Sequence, residues 1–353
     1  MNFSKRKSSF PIFSVLAGAL SVAALTIAAL PSVTNSIAQA AGKGLEVEVP
    51  YEINALKAPG VVAPYFLQDD HGVMVVSDQA GGVFSVTFGG KVTVLAAKSK
   101  IKNPAGVAIG PAGFGSYEGN VFVLATSGDI KAPCEVERID KSGAVSTFAK
   151  LPDAAGAAAT ECRDLEFGAT GTPFAGKLYA EASGNATIYS IDSSGKASAL
   201  GTYNKPVLFE LTTIRFPRAS DAKAANTMLV GMRAKGAGVA KVGRIGMVGA
   251  DGKLKDDVYL VGFIRPSGFG WAPSNFGSYG DELMIADTGK LGSENNYERD
   301  GQVFRVEKGI ARGLAAGLMD PTDMKFIGNK AVICDPAEKG KGQGAIVVIS
   351  SLL

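Results

Sequence analysis

Apolar and polar residues alternate along this chain in short runs separated by glycine-rich turns. A run rich in Val, Leu or Met appears six times, at Val73–Ser77, Val121–Ala125, Leu178–Glu181, Met228–Met232, Leu283–Ala286 and Ala331–Cys334. Each precedes an alternating run: Val83–Thr87, Glu135–Ile139, Thr187–Ile191, Arg244–Val248, Gln302–Val306 and Ile346–Ile349. Alternation with period two between turn residues predicts β-strands. Several of these strands then turn through Gly into another, as at Asp140-Lys141-Ser142-Gly143 before Ala144–Ala149 and Asp192-Ser193-Ser194-Gly195 before Lys196–Leu200.

The stretch Pro104–Ala125 recurs without a gap at Pro266–Asp287, 162 residues later, with seven of 22 positions identical. A unit of 40 to 50 residues holding four strands is the signature of a β-propeller blade. Six units in the mature chain take about 52 residues each, and a third of the internal offset is 54. The two counts agree on an all-β, six-bladed propeller. The last unit has only three strands, so an N-terminal strand, Leu45–Val49, is expected to complete it as the outer strand. Closure of that kind removes an exposed sheet edge.

Composition then sets the setting. Lys5, Arg6 and Lys7, the apolar run Ile12–Leu30 and Ala38-Gln39-Ala40 predict an export signal over residues 1–40, leaving the propeller as 41–353 in a secreted or periplasmic protein. Cleavage removes three basic residues and takes the formal charge from +3 to zero. A neutral mature chain has no electrostatic case for nucleic acid or a membrane surface as partner. A closed ring needs no second copy, so a monomer is expected.

Strand order sorts the loops. Connections between blades, and those joining the second strand of a blade to the third, share one rim, and propellers commonly carry ligands there. Asp164, Asp323, Glu210 and Asn103 open first strands on that rim; Glu181 and Asp287 end second strands. Two readings of these carboxylates stay open: oxygen ligands for Ca²⁺, or turn caps and ion-pair partners. Arg163, Glu210, Arg215, Asp287 and Trp271 are the candidate contacts to a small molecule. Ser293–Asp300 is a candidate lid over the rim.

The single histidine, His71, falls in a turn on the opposite rim, which argues against a His-dependent triad or zinc site. Cys134 and Cys162 fall in adjacent loops of the site rim and are predicted to pair; such a bridge is worth ~3 kcal/mol in the chain-entropy model. Cys334 reads as a buried thiol. The Phe-Gly-Ser-Tyr centre of the duplicated stretch falls on the far rim and reads as packing between blades.

The openings Asn103-Pro104-Ala105-Gly106-Val107-Ala108-Ile109 and Asp320-Pro321-Thr322-Asp323-Met324-Lys325-Phe326, with strand ends such as Ile285-Ala286-Asp287, resemble those of the senescence marker protein/gluconolactonase/strictosidine synthase-like propellers, and at the repeat level NHL proteins. The resemblance implies a divalent metal of the calcium type at the top of the channel, with Asp323 at the family's Pro-x-Asp ligand position and Asn103 near an Asn-type position. It implies a lactonase or esterase in which the metal polarises a carbonyl. Asp164, a further candidate ligand, or Glu181 would then be the general base. The other function class is a propeller that binds a small molecule or protein without chemistry.

Overall fold

The computed structural model describes residues 45–48, 50–129, 131–203, 208–218, 220–235, 242–289, 300–336 and 344–352. The expected export signal and cleavage site lie outside the described residues, as does the candidate lid apart from Asp300. Two strands come first, β1 (Glu46–Val47) and β2 (Tyr51–Leu56). Blade one is β3 (Pro64–Asp70), β4 (Val73–Asp78), β5 (Val83–Val86) and β6 (Val92–Ala96). Blade two is β7 (Val107–Ile109), β8 (Val121–Thr126), β9 (Cys134–Ile139) and β10 (Val145–Lys150). Blade three is β11 (Cys162–Phe167), β12 (Leu178–Ala182), β13 (Thr187–Ile191) and β14 (Ala197–Thr202). Blade four is β15 (Leu208–Arg215), β16 (Thr227–Lys235), β17 (Gly243–Gly249) and β18 (Leu254–Phe263). Blade five is β19 (Pro266–Trp271), β20 (Leu283–Asp287), β21 (Gly301–Glu307) and β22 (Ile310–Leu318). Blade six is β23 (Asp323–Ile327), β24 (Lys330–Asp335) and β25 (Ala345–Ser351), with β2 as its outer strand.

Every sheet is antiparallel, and each first strand touches the first strand of the next blade, from β3 through β7, β11, β15, β19 and β23 back to β3. The expected six-bladed ring is therefore the fold. Second strands such as β8, β12 and β20 are buried at every position, while outer strands β6 and β10 are largely exposed. A second strand has both faces covered by neighbouring blades, so near-continuous apolar text suits it.

Ring closure uses a different segment from the one expected. Tyr51–Leu56 pairs with β25 in unbroken register, Tyr51 opposite Ser351 and Leu56 opposite Ile346, whereas Glu46–Val47 joins blade five as a fifth strand beside β22. A turn separates the two, closed by the Tyr51 N–H donating to the Glu48 carbonyl at 2.9 Å, with Pro50 inside it. Proline cannot continue a ladder as a donor, so the chain changes blades there. Tyr51 then anchors the closing strand: its hydroxyl donates to the Phe276 carbonyl at 3.0 Å and its ring stacks on Tyr279.

The blades are fastened at the openings of their first strands. Hydroxyls of Thr212, Ser267 and Thr322 donate to the carbonyls of Pro266, Pro321 and Tyr65 in the following blade. Gly106 and Gly268 allow backbones to touch: a Cβ at either would lie 2.3 Å from the Leu165 nitrogen and 2.2 Å from the Met324 nitrogen respectively. Cys134 and Cys162, the first residues of β9 and β11, form the predicted disulfide, and Cys334 is a buried free thiol.

Candidate functional site

Asp164 and Asp323 occupy the same position in blades three and six, which face each other across the ring. Each accepts from the amide that follows it, Leu165 at 2.8 Å and Met324 at 2.8 Å, and from a first-strand amide of the next blade, Ile214 at 3.0 Å and Leu67 at 3.0 Å. Thr213 donates a further hydroxyl to Asp164 at 2.8 Å. The Arg215 guanidinium lies between them and pairs with both. All three side chains are buried. Burial works against the Arg215 cation, but Asp164 and Asp323 outweigh it and raise its pKa. Burial likewise pushes Asp323 up to about 6, against the pull of Arg215.

These residues do not fit the calcium site that the resemblance implies. Each carboxylate oxygen already accepts from at least one N–H or O–H donor, and a buried guanidinium occupies the space between the two carboxylates. The Asn103 amide nitrogen donates to Thr126 Oγ1 and the Gly128 carbonyl, both at 2.9 Å, within its own loop. Its φ of 43° is the left-handed conformation that Asn tolerates. Among the described residues no group of three His, Cys, Asp or Glu side chains could hold a metal ion.

Above this plug the site rim carries a second cluster. Glu210 takes the guanidiniums of Arg265 at 2.7 Å, Arg233 at 2.8 Å and Arg163 at 3.4 Å. Arg163 also donates to the Tyr65 hydroxyl. The Arg233 and Arg265 side chains are only 9% exposed, and the Nε of each of the three arginines has no hydrogen-bond partner among the described residues. Burial holds Arg233 below the ordinary arginine value; Glu210 opposes this, and crowding by Arg265 and Arg163 adds to it. Asp320, whose carboxyl burial pushes up, lies in the field of Arg265 and Arg163. A chamber of about 10 Å³ between Tyr65, Thr212, Arg265, Ser267, Thr288 and Thr322 takes one water-sized group.

The other expected residues divide by role. Asp287 ties the loop before its own blade, accepting from the Ile264, Arg265 and Gly289 amides at 2.7, 2.7 and 3.1 Å. It caps a turn, as Asp78 and Asp335 do for equivalent loops in blades one and six. Arg215 belongs to the plug, and Trp271 stands at the far end of β19, at the opposite mouth of the channel. Glu181 is wholly buried with both carboxyl oxygens unpartnered among the described residues. Burial, then the charge of Asp164, pushes its pKa well above the carboxylate range, while Arg163 and Arg215 oppose the rise. Arg265 escaped the sequence reading, although it sits directly before the duplicated Pro266 opening. His71 is on the far rim as expected, exposed beside Asp70.

No protein-family model and no curated protein matches the sequence. Solved structures share the fold. A gluconolactonase from Xanthomonas campestris is 13% identical, with a TM-score of 0.56 over 85% of this chain and 89% of that one. The soluble aldose sugar dehydrogenase of Escherichia coli gives 11%, 0.55, 85% and 99%. Virginiamycin B lyase from Staphylococcus aureus gives 13%, 0.51, 85% and 99%. At these identities the likeness is one of architecture.

Proposed function

We propose that the protein is an exported propeller that binds a small anionic molecule at the rim where Arg163, Arg233 and Arg265 surround Glu210. The observation that carries this reading is three guanidiniums on one carboxylate, each with an unclaimed Nε–H. Guanidinium is the side-chain group best matched to carboxylate or phosphate oxygens, which it takes in pairs of parallel hydrogen bonds. Buried cations without enough partners are costly, and an incoming anion relieves that cost. The chamber admits a terminal oxygen and leaves the body of the ligand on the rim. Asp164, Asp323 and Arg215 form the rigid floor; they bind and orient the strands and take no part in chemistry.

Isothermal titration of the mature protein with carboxylates and phosphate monoesters tests the reading. An Arg265→Met variant should bind at least ~10-fold more weakly, the loss expected for a charged hydrogen bond in a buried site. Unchanged affinity in Arg265→Met, or no anion binding at any salt concentration, would sink it.

Glu181 favours a second reading, hydrolysis of a small ester or lactone. A buried carboxyl whose pKa is raised by burial is suited to general acid work. Water adds to the carbonyl, the C–O bond breaks, and Glu181 gives its proton to the departing alkoxide and recovers one from the water. Loss of turnover in Glu181→Gln, with anion binding intact, would separate this reading from the first.

A further inference from the structure

At the mouth away from the arginine cluster the channel opens into a recess of about 420 Å³, within the usual range for small-molecule sites. Its wall is a collar of partly exposed aromatic rings, one from each of four consecutive blades: Phe167, Phe216, Trp271 and Phe326, all at or beside the ends of first strands. Its inner end is polar. Lys325 Nζ donates to Glu166 Oε2 at 2.6 Å and also to Gln68 Oε1.

The collar is braced from behind by the duplicated motif. Phe114, in the first copy, sets its ring 4.7 Å from Phe167 of the next blade, and Phe276, in the second copy, lies 5.2 Å from Phe326 of its next blade. Phe174 does the same for Phe216 at 5.1 Å. In blade four the corresponding turn carries the small Ala224, and the collar position it faces is filled by the larger Trp271. Phe167, Phe216 and Phe326 are thus seated against buried rings at the edge of the core, and Trp271 packs against the cluster that holds Ala224.

We propose that this recess is a second binding site, separate from the arginine rim, and that it takes a neutral saccharide. Charge excludes an anion: Lys325 is matched by Glu166, and Arg215 at the inner end by Asp164 and Asp323, so no cation is left over. Aromatic walls favour a ligand that presents a flat apolar face. The Lys325, Glu166 and Gln68 group, which both donates and accepts, favours hydroxyls at its edge. A pyranose ring has both features, with C–H groups on its faces and hydroxyls around its rim.

Trp271 is the only tryptophan in the chain, so its fluorescence reports on the collar directly. Titration of the mature protein with glucose, maltose and cellobiose should give a saturable emission change with at least one of them below about 100 mM, the weak range of small-ligand binding. Lys325→Met should weaken that response ~10-fold or more, as for loss of a charged hydrogen bond, and Phe326→Ala should abolish it, with circular dichroism confirming that both variants are folded. No saturable response to any of the three sugars overturns the proposal. So does a response that survives both substitutions, because Trp271 also borders the outer recess beside Tyr259 and Asp221. Saturation by indole or toluene without any by sugars overturns the saccharide assignment.

Discussion

Replacing Arg215 by Met removes the cation from between Asp164 and Asp323 while keeping an unbranched side chain that fills much of the same space. The pair then faces itself across the channel with no cation between its members, in a site where all three groups are buried. Breaking a buried ion pair by deleting one partner costs about 3–5 kcal/mol. The cost depends on pH in a definite direction. Asp323 stands at about 6 with Arg215 present, and loss of the arginine removes the main influence holding it down, so its folded value rises further above the unfolded ~3.9. A carboxyl raised in the folded state keeps its stability below the unfolded pKa and loses it as pH climbs through the folded one. Arg215→Met should therefore lose most at pH 8 and least near pH 4. Urea unfolding across that range measures it, and adding Asp323→Asn should recover a large part of the loss at pH 8. An equal loss at all pH values, or an Arg215→Met protein as stable as the parent at pH 8, would refute the reasoning.

Glu181→Gln removes a carboxyl whose pKa burial raises in the folded state, so the variant should match the parent near pH 4 and become progressively more stable above it in urea midpoints. EDTA or added Ca²⁺ should leave the thermal midpoint of the parent unchanged, because Arg215 fills the space between the carboxylates; a calcium-dependent rise would contradict that assignment. Gly268→Ala drives a Cβ to within 2.2 Å of the Met324 backbone nitrogen and should destabilise the closed ring by ~1–3 kcal/mol as overpacking does, read by chemical unfolding. Reduction of Cys134–Cys162, separated by 28 positions, should cost ~2–4 kcal/mol, measured as the shift in urea midpoint with reductant.

The repeat was legible because blade strands are local: Val121–Ala125 and Leu283–Ala286 announce themselves by composition, and the 162-residue offset counts the units. Closure was legible in kind but not in position, since both Leu45–Val49 and Tyr51–Leu56 alternate. Only the partner strand β25 and the turn at Pro50 distinguish them. The carboxylates were found as a set with arginines near them, yet which arginine meets which carboxylate was not. Asp164 meets Arg215 across 51 positions and Asp323 meets it across 108, distances along the chain over which no local pattern carries information. Arg233 stands opposite Glu210 within the hairpin of β15 and β16, but Arg163 and Arg265 join it only when blades three and five pack against blade four.

From its sequence alone this chain determines an all-β ring of six units and places most site candidates at its channel, because strand period and turn chemistry act over a few residues. The tertiary structure decided what those candidates do. It set a guanidinium between two aspartates, gathered three arginines on one glutamate and turned four aromatic rings toward the far mouth. Each of these depends on blades meeting around a common axis, and the charge and shape complementarity there exist only once first strands from distant parts of the chain stand side by side.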